Sequence, residues 1–149
     1  MTNNCTNKTH DSHVKVAGEH GRQAVIRNGN RESFIRSKVD GCMLKQQTAA
    51  DWVVSKPKVG DVIIELKGGD VSHAVDQIQA TLNYWNKNNL SNGKFGALVV
   101  CSKYPKVDTK IQRAKLFLAS KHKTPLHVVT QNLEYDFDAL LSIRGPFST

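Results

Sequence analysis

Two periods organise the hydrophobic positions of this chain. From residue 33 to 67 the apolar residues come in short runs rich in Val, Ile and Trp, which predict strands. "SFIRSKV" is one such run, closed by Asp40-Gly41, a dipeptide suited to tight hairpin turns, with "CMLKQ" as its expected return. "ADWVVS" and "DVIIELK" follow, separated by the loop "KPKVG". After Gly68 and Gly69 the period changes. Val75, Ile78, Leu82 and Trp85 recur at helical spacing, predicting a helix capped by Asp70 or Ser72 and running to about Asn86. "SNGKFG" reads as a turn and "ALVVCS" as a strand buried on both faces, and Asp108 or Thr109 opens a second helix to about His122. "PLHVVT" is a further strand and "YDFDALLS" a last short helix. Antiparallel hairpins leading into β-α-β-α predict an α/β fold, helices packed on a mixed β-sheet.

At 149 residues, with 39% hydrophobic and 23% charged positions, the chain has the length and make-up of one globular domain. Its opening, "MTNNCTNKTHDSH", is polar and aperiodic, so residues 1–13 are expected to form a flexible tail and 14–149 the domain. That opening lacks the apolar stretch of a signal peptide, and no run approaches the length of a membrane span. Cys5, Cys42 and Cys101 are odd in number and widely spaced. This argues against a disulfide framework or a zinc knuckle and for a cytoplasmic protein, and the missing apolar span argues separately against membrane partners.

Charge adds a partner class. The formal net charge is +8, a balance that suits a polyanion. Lys103, Lys106, Lys110, Arg113, Lys115, Lys121 and Lys123 stand against the single acid Asp108 in one stretch. Either a solvated basic helix or a phosphate-binding surface accounts for that run, with Lys110, Arg113 and Lys115 as the candidate nucleic-acid contacts.

The most informative detail lies in "DVIIELKGGD", where Glu65 and Lys67 share one face of an otherwise apolar strand. A hairpin through residues 56–60 pairs Val53 with Ile63, Ser55 with Asp61 and Asp51 with Glu65. Two carboxylates and an ammonium then converge in one patch. Like charges directly opposite each other destabilise a sheet, and a hard divalent cation, Mg²⁺ or Mn²⁺, supplies the reason for keeping them.

Asp51, then Glu65-Leu66-Lys67 on the next strand, then a helix bearing Gln77, resembles the PD-(D/E)XK nuclease superfamily, over roughly residues 33–130. The resemblance implies a restriction-endonuclease-like core and a Mg²⁺-dependent phosphodiesterase acting on DNA, of resolvase-like or restriction and defence type. It implies that Asp51, Glu65 and the Leu66 carbonyl hold the metal, and that Lys67 orients or deprotonates the attacking water. Gln77 joins the catalytic set on the same footing. Enzymes of this kind and size often work as homodimers. The alternative is a nuclease-fold module that binds nucleic acid or a protein without cutting.

Three positions depart from the family pattern. Ala50 replaces the proline of the motif, the accessory glutamate upstream has only Glu19 and Glu32 as candidates, and Thr81 stands where a RecB-like subgroup carries tyrosine. His73, Gln77, Thr81 and Tyr84 form a polar flank on the first helix, and for His73 and Tyr84 an exposed helix edge explains the pattern equally well. Asp40 reads as a turn residue or an acid behind the site. Asp61 and Asp70 occupy strand-start and helix-cap positions, and His122 and His127 lack partners at zinc spacing.

Overall fold

A computed structural model describes residues 4–68, 71–102, 109–130 and 133–146. In chain order these form β1 (Thr6–Thr9), β2 (His13–Ala17), β3 (Gln23–Arg27), β4 (Phe34–Lys38), β5 (Trp52–Lys56) and β6 (Gly60–Lys67). Helix α1 (Val71–Lys87), β7 (Lys94–Cys101), α2 (Thr109–His122), β8 (Leu126–Val129), β9 (Glu134–Tyr135) and α3 (Phe137–Leu140) follow. The fold is mixed α/β: one six-stranded sheet in the order β1-β4-β5-β6-β7-β8 and one of three strands, β2-β3-β9.

The large sheet changes character at β6. Strands β1, β4, β5 and β6 pair antiparallel, whereas β6, β7 and β8 run parallel, joined by α1 and α2 as crossovers. Seven of the eight β6 residues are buried, because both faces of the sheet are covered. On one face Val53, Ile63, Ala97 and Val99 pack with Val75, Ile78, Leu82 and Trp85 of α1 and with Ile111 and Leu118 of α2. On the other, Val54, Val62, Ile64, Leu66 and Leu98 pack against Val14, Val16, Ala24 and Ile26 of the small sheet and against Phe137 and Leu140 of α3. The predicted stripe of α1 is therefore the buried one. The β5–β6 register is also as read from the sequence, with Val53 opposite Ile63 and Ser55 opposite Asp61.

Three expectations fail. Asp40-Gly41 turns the chain but does not start a hairpin with "CMLKQ". Gly41 takes a left-handed φ of 78°, its N–H donates to the Leu44 carbonyl at 2.9 Å, and the real partner of β4 is β5. The Val39 N–H donates to the Asp51 carbonyl at 2.9 Å, so the β4 ladder continues straight into the segment before β5. The expected tail is structured in part: Thr6–Thr9 pairs with Phe34–Ser37, and His13 already belongs to β2. The argument against disulfides fails with it, since Cys5 and Cys42 are bonded, with Cα atoms 5.7 Å apart. Pairing β1 beside β4 delivers residue 5 to the turn after β4, a proximity that spacing along the chain does not reveal.

No helix among the described residues is long and apolar enough to cross a membrane. Gly69 and Asp70, at the expected turn and helix cap, and Lys103, Lys106 and Asp108 of the basic stretch lie outside the described residues.

Candidate active site

The end of the β5–β6 hairpin brings the candidate acids together through the backbone. The Asp51 N–H donates to Glu65 Oε1 at 3.0 Å, and the Leu66 N–H donates to Asp51 Oδ2 at 2.9 Å. Each carboxylate thus spends one oxygen on the neighbouring strand's main chain, and the pair is fixed as a unit. Lys67, two residues beyond Glu65 on the same face, holds its Nζ 4.0 Å from Glu65 Oε2.

Helix α1 braces this corner. Lys67 Nζ donates to Gln77 Oε1 at 3.3 Å, and Gln77 Nε2 donates to the Ala49 carbonyl at 3.1 Å. One turn on, the Thr81 hydroxyl donates to the Gln77 carbonyl at 2.9 Å and accepts the Ala50 N–H at 2.8 Å. The segment Ala49-Ala50-Asp51 is therefore stitched to α1 on one side and to β6 on the other. Thr81 is fully buried, so a tyrosine side chain has no place there without repacking. Of the rest of the polar flank, His73 is exposed and Tyr84 half-buried, packed against the core beside Trp85.

Burial gives the pair its electrostatics. Glu65 is 2% exposed, and its carboxyl is pushed up to about 8, first by burial and then by the charge of Asp51; Lys67 pulls the other way. Asp51 is also raised, chiefly by burial, and the Leu66 N–H and the charge of Lys38 restrain the rise. The negative charge of Asp40, whose N–H donates to the Ala50 carbonyl at 3.1 Å, adds to it. Burial and mutual repulsion therefore favour the protonated form of these carboxyls over two facing charges.

Not every candidate joins the site. Glu32 is spent on Lys56 at 2.6 Å, at the opposite end of the hairpin from Asp51. Glu19 lies exposed on the β2–β3 turn. Lys110 pairs with Asp76 of α1 at 3.4 Å, Arg113 is exposed, and Lys115 lies beside His127 against β8, two strands from β6. Asp61 is fully buried and structural: it accepts from Ser55 Oγ, from the Asn92 N–H and from Asn92 Nδ2 at 2.5 to 2.8 Å. A cleft of about 640 Å³ also opens far from the acids, at the Lys56 end, but its Arg27–Asp136 and Lys56–Glu32 charges already neutralise one another.

Among the described residues no group of three or more His, Cys, Asp and Glu side chains is arranged to hold a metal ion. A cation at this corner would have two carboxylates, with main-chain oxygen and water completing its shell. That donor set suits Mg²⁺, which keeps several waters, and excess negative charge that must otherwise trap a proton suits a divalent ion. Compared with known proteins, the chain matches no family model, no curated protein and no solved structure.

Proposed function

We propose that the chain is a metal-dependent nuclease of the PD-(D/E)XK type, built on a restriction-endonuclease-like core and hydrolysing phosphodiester bonds in DNA. The observation that carries this reading is the interlocked corner: Asp51 and Glu65 bound to each other's strands, with Lys67 beside them on the Gln77 amide. A solvated surface pair would leave Glu65 exposed; here it is buried beside Asp51, an arrangement whose ionised form a bound cation would stabilise.

Asp51, Glu65 and the Leu66 carbonyl are the groups that would hold Mg²⁺ or Mn²⁺. Such an ion, when bound, acidifies water and offsets the charge that builds on phosphate oxygens. Holding it would require Glu65, whose carboxyl burial and Asp51 raise, to be ionised. Lys67 donates hydrogen bonds to the attacking water and to the non-bridging phosphate oxygens, where its charge counters the developing negative charge. Gln77 keeps that ammonium aimed at the acids by accepting from it and by anchoring to Ala49. As the water attacks phosphorus its proton passes to solvent, a new P–O bond forms and the bond to the 3′ oxygen breaks; that oxygen takes a proton from solvent, leaving 5′-phosphate and 3′-hydroxyl ends. A homodimer, with one site for each strand, is the form that fits a duplex.

The test is incubation of the protein with plasmid, single-stranded DNA, branched DNA and RNA in Mg²⁺, Mn²⁺ and EDTA. Cleavage of DNA with either ion and none in EDTA is expected. No cleavage of any substrate in either ion contradicts the reading, and tight binding without cleavage assigns the chain to the binding-module alternative.

A further inference from the structure

We propose that Arg22 is a positioning residue of this same site, gripping a backbone phosphate adjacent to the one that is cut; the inference rests on the nuclease reading above. The β2–β3 hairpin carries it there. Trp52, immediately after Asp51, donates its indole N–H to the Ala17 carbonyl at 3.0 Å. Gly18 lies flat on β6: a Cβ at that position would stand 3.0 Å from Leu66 Cδ1 and 3.2 Å from Leu66 Cβ, so a side chain would have to push Leu66 aside. The turn closes through the Gly18 N–H to the Arg22 carbonyl at 2.9 Å and the Arg22 N–H to the Glu19 carbonyl at 3.2 Å. His20 and Gly21 take left-handed φ values of 58° and 75° to make that closure. The Arg22 guanidinium then reaches Gly68, its atoms 3.5–3.6 Å from where a Cβ of that glycine would lie. Gly68 directly follows Lys67, so the guanidinium sits at the exit of the strand that bears Glu65, Leu66 and Lys67.

Its bonding is incomplete. Arg22 Nε is buried with no hydrogen-bond partner, and among the described residues no carboxylate lies within ion-pair distance of the guanidinium. A buried N–H without an acceptor is rare and costly, and the guanidinium fork matches phosphate oxygens in shape and charge. At the other side of Trp52, Lys38 holds its ammonium 5.2 Å from the indole ring, near enough to Asp51 to act on its charge. Lys38 therefore stands at the end of β4 and the Arg22 guanidinium just beyond the end of β6, both on the Trp52 and Leu66 side of the sheet, while Lys67 ends β6 on the side of the acids; a phosphodiester backbone laid across these strand ends is the anion that meets all three.

The experiment compares wild type, Arg22→Ala and Arg22→Lys on the DNA that the wild type cuts best. Single methylphosphonates are placed in turn at phosphates on either side of the cut. Loss of a charge-assisted contact is expected to slow single-turnover cleavage by Arg22→Ala roughly ten- to a hundredfold, with Arg22→Lys between. The log–log salt slope of binding should fall by about one. At one methylphosphonate position the wild type should slow by the same factor, and Arg22→Ala should slow no further there. Equal losses on every substrate with a lowered melting temperature would make Arg22 a mere prop of the hairpin and overturn the inference. Unchanged cleavage and slope in Arg22→Ala would overturn it too, while leaving the nuclease reading standing. A wild type that neither cuts nor binds DNA removes both.

Discussion

Replacing Glu65 by Gln is expected to stabilise the metal-free protein, and increasingly so as the pH rises. Glutamine keeps an acceptor for the Asp51 N–H, which bonds Glu65 Oε1 at 3.0 Å, and removes only the ionisable group. Because burial and Asp51 raise the Glu65 carboxyl from an ordinary 4.5 to about 8, the folded protein binds a proton that the unfolded chain has released. Stability from this group is complete below the unfolded value and is lost as pH climbs through the folded one. The loss reaches about 3 kcal/mol by neutral pH and about 5 kcal/mol beyond the folded value. Against a total stability of roughly 5–15 kcal/mol this is large, and it translates to about 10 °C in melting temperature at neutral pH. Asp51, also raised, acts in the same direction. His127 acts oppositely: burial lowers its pKa, so its contribution is complete above the ordinary 6.5 and is lost as pH falls below it. The difference between wild type and Glu65→Gln removes the His127 contribution. Thermal and urea melts of both proteins in EDTA, from about pH 5 to pH 8, supply that difference. A wild type whose stability holds level across this range, or a variant with the same slope as wild type, refutes the raised Glu65 carboxyl.

Asp61→Ala leaves the buried Ser55 hydroxyl and the half-buried Asn92 donors without their acceptor, and should cost roughly 3 kcal/mol in urea melts while sparing cleavage per folded molecule. Reducing the Cys5–Cys42 bond, which spans 37 positions of sequence, should lower stability by about 3–4 kcal/mol; identical melts with and without reductant would show that it is not formed in solution. Single alanine variants at Lys110 and Arg113 should each flatten the salt dependence of DNA binding by about one log–log unit, whereas Lys115→Ala, beside His127 on β8, should leave it unchanged. Equal slopes in all three would make the basic face of α2 a solvated one.

The hairpin that holds the acids was legible because alternation has a period of two and the loop between its strands is short. Once Val53 faces Ile63, the face shared by Asp51 and Glu65 follows. Gln77 was legible by helical spacing from the apolar stripe. What escaped was pairing between distant segments. Asp40-Gly41 says that the chain reverses there but not which strand it meets, and β5 offered a better buried partner than "CMLKQ". Strand β1 is too short and polar to announce itself, so its disulfide with Cys42 went with it. Strands β2 and β3 were not expected, although Val14, Val16, Ala24 and Ile26 alternate as buried strand positions do. Their turn reaches the site through Trp52, Gly18 and Gly68, contacts no local pattern encodes, and Arg22 was invisible for that reason.

The central claim is that Asp51, Glu65 and Lys67 act together on a phosphodiester. Single-turnover cleavage of the preferred DNA in Mg²⁺ by wild type, Glu65→Gln and Lys67→Ala tests it most directly, with melts and binding measured on the same samples. Wild type should cut, while both variants stay folded and cut at background; Glu65→Gln should bind DNA about as tightly, and Lys67→Ala more weakly by no more than one lost phosphate contact. Cleavage by either variant within about tenfold of wild type, a loss of only some 1.4 kcal/mol in transition-state stabilisation, would contradict the account.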